Sequence, residues 1–117
     1  MLFLGVNRYE LEFLVTDQNL SMFSVFGYVP NATSYIHVAA TWSAYDDAWL
    51  YVNGQYVGDN YSDAYETFSD ATTSVIGAGS PVFNTNYFRG DIDLLRVYTI
   101  RLSQEQIYQS YQYMMGN

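Results

Sequence analysis

Apolar and polar residues alternate with a period of two along most of the chain. Residues 9–15 show it best. Tyr9, Leu11, Phe13 and Val15 fall on one side, and Glu10, Glu12 and Leu14 on the other. This is the period of a strand with one buried face. The same pattern predicts strands over 1–6, 20–29, 34–42, 48–53 and 74–79, and a long strand over 87–99. Asn53-Gly54 is the strongest hairpin signal, because both residues accept the positive φ of a type I′ turn. The chain then pairs back through "QYVGD". Residues 59–74 are polar, acidic and aromatic, and read as an irregular loop or an edge strand. Only the tail changes period. Ile107, Tyr111 and Met114 recur at helical spacing, Ser103 and Gln106 form a capping box, and Gly116 supplies the stop.

Many short strands and one terminal helix predict an all-β, two-sheet antiparallel sandwich. A chain of 117 residues allows one domain, 1–117. Half of the residues are hydrophobic and thirteen are tyrosine, which suits strands and amphipathic surfaces. Four basic residues stand against twelve acidic ones, a net charge of −8. That balance argues against nucleic acid and anionic membrane as partners, since no basic footprint neutralises phosphate. Cysteine is absent and histidine occurs once, which excludes disulfides, thiol catalysis and multi-histidine metal sites. No apolar run reaches the roughly 18 residues of a membrane span, and "MLFLGV" does not read as a secretory signal.

Asp93 is the first candidate residue. It sits in "YFRGDIDLLRVY", in line with Leu95 and Val97, while Ile92, Leu94, Arg96 and Tyr98 take the other face. A carboxylate among aliphatics is expected to be a structural group at the margin of the core, pinned by backbone N–H donors. The competing reading is a calcium ligand shared with Asp91, though two carboxylates fall short of a calcium site. Asp59, Asp63, Glu66 and Asp70 read first as a solvated loop and second as a weak calcium site without EF-hand spacing.

Glu10 and Glu12 project from one strand face with Cα atoms about 7 Å apart. Paired carboxylates are the equipment of a glycosidase, but two wet glutamates on a sheet have the same pattern. Trp49 and Tyr51 share a strand face, with Trp42 and Tyr98 as neighbours on the same sheet. We take Trp49, Tyr51, Arg96 and Tyr98 as the candidate ligand-binding set; core packing competes for the tryptophans. His37 has no nucleophile to serve, although Ser34 and Ser43 lie near it in sequence. Sequons begin at Asn19, Asn31 and Asn60, and matter only in a eukaryotic secretory setting.

Four stretches taken together, "YIHVAATW", "LYVNGQYVG", "IGAG" and "YFRGDIDLLRVYTIRLSQEQI", resemble the laminin-G-like, concanavalin-A-like jelly roll. His37, Val38, Thr41, Leu50 to Gly54, Gly77, Gly90, Asp93, Arg96, Tyr98 and Ser103 are among the positions that carry the likeness. It is clear over roughly 35–110 and looser over 1–34. The resemblance implies a jelly-roll winding and a non-catalytic surface module, extracellular or on a cell or virion surface, that binds glycan or protein. It also implies calcium in related domains. Set against the family pattern, the resemblance implies that the first strands are missing before "MLFLGV". The exposed sheet edge this would leave predicts a homo-oligomer or larger assembly. Two rivals follow: a structural subunit of a surface or virion assembly with no ligand, and a glycoside hydrolase using Glu10 and Glu12.

Overall fold

In a computed structural model the chain is described over residues 2–7, 10–16, 22–29, 35–43, 47–61 and 90–116. Three strands, β1 (Leu2–Asn7), β2 (Glu10–Thr16) and β3 (Met22–Tyr28), form one antiparallel sheet in chain order. Three more, β4 (Val38–Thr41), β5 (Asp47–Val52) and β6 (Gln55–Tyr61), form a second. One helix, α1 (Gln104–Met114), follows.

The expected alternation holds where strands form. Leu11 and Phe13 are buried while Glu10 is exposed. Leu11, Phe13, Val25 and Val29 from the first sheet meet Ala48, Leu50 and Val52 from the second in one core. Val38 and Ala40 pack against it from β4. These inner positions give each sheet one apolar face that is covered, and burying the two faces against each other holds the sandwich together.

The sheets approach most closely where β3 passes β6. A Cβ added at Gly58 would lie 2.3 Å from the Phe26 carbonyl oxygen, so only a glycine fits. The Asn60 side-chain amide donates to the Ser24 carbonyl at 2.9 Å beside that crossing.

The turn between β5 and β6 has the predicted form, with φ of 50° at Asn53 and 76° at Gly54. Past the turn Tyr51 faces Tyr56, as a two-residue loop requires. A bulge then shifts the register, so that Leu50 faces Gly58 and Trp49 faces Asp59. The extra residue turns Asp59 to the outer face and leaves Gly58 to the crossing.

The predicted strand at 87–99 is corrected by the structure over its described part, from residue 90 onward. Residues 91–98 belong to neither sheet and are exposed throughout. Leu94 has a φ of 47°, in the left-handed region, which interrupts any extended run. Asp93 therefore stands in solvent and not at the edge of a core, and a hydrated carboxylate needs no pinning donors. Ile92, Leu94, Leu95, Val97 and Ile100 are exposed with it. The strand predicted at 74–79, and Asp63, Glu66 and Asp70, lie outside the described residues.

The capping box forms as read. Gln106 N–H donates to Ser103 Oγ at 3.2 Å, and Ser103 N–H donates to Gln106 Oε1 at 2.8 Å. Such a cap contributes about 1 kcal/mol. Gly116, at a φ of 76°, follows the helix end. Replacing Gly58 by alanine is expected to cost about 1–3 kcal/mol, because backbone must move to admit the methyl group. Urea unfolding checks this: the midpoint should fall while the slope stays the same, and an unchanged midpoint would contradict the close crossing.

Candidate functional site

On β5, Ala48, Leu50 and Val52 point into the core, so Trp49 and Tyr51 point out of the sandwich. Register sets Tyr56 and Asp59 of β6 beside them. The Trp49 and Tyr56 rings meet edge to face, 5.5 Å apart at 70°. The Tyr51 ring lies 6.3 Å from Trp49. Trp49, Tyr56 and Asp59 line an open cleft of about 340 Å³ with Gln104, the first residue of α1. The Arg101 guanidinium sits 5.6 Å from the centre of the Trp49 ring, a cation–π distance. A second cleft of about 430 Å³ shares Gln104 and is lined also by Gly54, Gln55, Glu105 and Tyr108.

The electrostatics are mixed. The Tyr56 hydroxyl donates to Asp59 Oδ1. That bond, together with the nearby carboxylates of Asp59 and Asp47, holds the Tyr56 phenol above its ordinary pKa. Burial raises the Tyr51 phenol as well, and the Arg101 charge opposes it. The cleft thus joins an exposed phenol, a carboxylate and an amide to an indole wall, with a guanidinium stacked beside that indole. Such a surface stacks against a flat apolar face and hydrogen-bonds a ring of hydroxyls.

The expected ligand set is only partly assembled. Trp49 lies at the cleft. Tyr51 is 2% exposed and supports the wall without facing a ligand. Arg96 and Tyr98 are on the exposed segment, and the cleft lining does not include them. Arg96 instead lies 5.6 Å from the Tyr113 ring of α1. Tyr56, Asp59, Arg101 and Gln104 were not in that set. Tyr56 was within reach, since the Asn53-Gly54 turn sets it opposite Tyr51. Asp59 was not, because its facing depends on the bulge.

Glu10 and Glu12 occupy the outer face of the other sheet, opposite Tyr28 and Phe26. Phe26 and Tyr28 are exposed, and Ser24 Oγ donates to Glu12 Oε1 at 3.5 Å. Among the described residues no group of three or more acidic or histidine side chains is arranged to hold a metal. None of the described helices is long and apolar enough to cross a membrane. Of the sequons, those at Asn19 and Asn31 lie outside the described residues.

Comparison with known proteins agrees with this architecture. No curated protein matches the chain. A crystal structure of an S-layer domain-containing protein (residues 221–444) from Clostridium thermocellum ATCC 27405 is similar, with 27% sequence identity and a TM-score of 0.59. The match covers 87% of this chain and 51% of that one, so this chain spans about half the length of its solved neighbour. The laminin G profile of the concanavalin A-like lectin/glucanases superfamily matches residues 1–108. With two antiparallel sheets around one core and that match over nearly its whole length, the chain belongs to the concanavalin A-like lectin/glucanases superfamily.

Proposed function

We propose that the protein is a non-catalytic recognition module of a cell surface, and that it binds glycan at the Trp49–Tyr56 cleft. One observation carries this: the strand register brings two aromatic rings and a carboxylate together on the outer face of β5 and β6, where α1 adds Gln104 and the segment before it adds Arg101. The similar structure is that of an S-layer domain-containing protein, which supports the location. The remaining strands, on this reading, complete a jelly-roll winding. The Glu10–Glu12 pair lies on the far side of the sandwich from the cleft, so the ligand that the cleft takes does not meet those carboxylates.

A second reading has its own support. The exposed aliphatic run Ile92–Ile100 and the S-layer neighbour favour a structural subunit that packs into an assembly with no ligand. Calcium enters either reading as a bridge through the acidic residues that follow β6.

Titration calorimetry with a panel of neutral oligosaccharides, with calcium and with EDTA, tests the first reading. Binding should weaken at least about tenfold in Tyr56→Ala, the equivalent of ~1.4 kcal/mol. Glu10→Gln and Glu12→Gln should leave it unchanged, with no hydrolysis in any arm. No binding in either buffer, together with a large assembly by light scattering, favours the structural subunit.

The electrostatics are tested separately. Asp59→Asn should lower the Tyr56 phenol midpoint toward the ordinary value of 10, because it removes the charge that repels the phenolate. Tyrosine ring NMR reads this directly, and an unmoved midpoint contradicts the pairing.

A further inference from the structure

The outer face of the second sheet is closed at one end by α1, which buries Ile107 and makes a second contact through His37. The imidazole packs on Tyr111 with centroids 6.0 Å apart and planes at 59°. The backbone of His37 is fixed to the β5–β6 turn. Its N–H donates to Asn53 Oδ1 at 3.0 Å, and its carbonyl accepts the Asn53 N–H at 2.7 Å. Gly54 is the floor on which Tyr108 and Tyr111 rest; a Cβ there would meet them at 2.7 and 3.0 Å. Nδ1 of His37 is shut off from solvent and has no hydrogen-bond partner among the described residues.

We infer that protonation of His37 opens this contact, so that α1 leaves the Asn53–Gly54 turn and carries Gln104 and Arg101 away from the cleft. An imidazolium must donate from both nitrogens; the ring is half-buried, but its Nδ1 is enclosed without an acceptor, so protonation there leaves a desolvated donor unpaired. Of the described residues that touch it, Tyr111 from α1 and Asn53 from the turn, neither supplies a carboxylate. The one charged side chain of α1, Glu105, lies six residues before Tyr111, about 9 Å along the helix axis. An eleven-residue helix is too short to persist alone, so undocking unravels it.

Burial lowers the His37 pKa from 6.5, which sets the sign. The undocked state binds the proton more tightly. The stabilisation is fully present above the ordinary imidazole value of 6.5 and is lost as pH falls below it, until the lowered pKa is reached.

The latch is independent of any ligand; only its effect on binding rests on the proposed function. The test is an NMR titration of the full chain from pH 7.5 to 5.0, following the His37 ring, the α1 amides and the Trp49 indole. All three should move together with a midpoint below 6.5, while His37→Gln keeps the docked spectrum throughout. Tyr111→Leu, which leaves His37 in place, should raise the imidazole midpoint toward 6.5. Three results would each overturn the latch: an imidazole that titrates while α1 stays unmoved, a His37→Gln chain that opens like the parent, or a midpoint unaltered in Tyr111→Leu. If α1 opens as expected and no oligosaccharide binds at any pH, the latch stands and the recognition reading falls.

Discussion

The two-residue turn at Asn53-Gly54 is the constraint on which the rest depends. It fixes the register of β5 against β6, and so decides which side chains share a face. Tyr56 follows directly, opposite Tyr51. The bulge one step later inverts the alternation of β6, sending Gly58 inward and Asp59 outward. Both consequences matter. A side chain at the inward position would strike the Phe26 carbonyl, and a carboxylate there would be buried. The same turn receives α1 on Gly54 and the chain before β4 through His37. Sheet order, cleft and helix placement all pass through these two residues.

That dependence explains what could be read from the sequence. Features set by local chemistry were legible. The Ser103–Gln106 box, the Asn53-Gly54 turn and the period-two faces of β2 and β5 are each specified within a few residues. The early sheet was legible for the same reason, since β1, β2 and β3 are joined in chain order. The superfamily was legible because its motifs follow one another in order along the chain.

What was not legible depends on a break in period. A regular strand over "QYVGDNY" would put Tyr56, Gly58 and Asn60 together on one face. The bulge puts Tyr56 with Asp59 instead, and the lone hint is a glycine inside a strand. The run at 87–99 failed the same way. Its spacing is that of a strand, yet one left-handed residue, Leu94, interrupts it and leaves Asp93 in water. Arg96 and Tyr98 were assigned to a ligand face because that strand was assumed. Without it, Arg96 stacks on the helix and the cation at the cleft is Arg101.

The cleft therefore stands on two supports of unequal strength. Its floor and aromatic wall belong to a sheet whose other face is the hydrophobic core, so they are as stable as the fold. Its remaining edge belongs to a short helix, which buries one aliphatic side chain, Ile107, and otherwise holds through aromatic contacts at one turn and a single imidazole. Elements with few buried contacts open at lower free energy than the core does. On the proposed reading, a site divided in this way would lose affinity before the protein loses structure. The uncharged state of one histidine would then be a condition of binding, while the sandwich beneath persists whether or not the helix is in place.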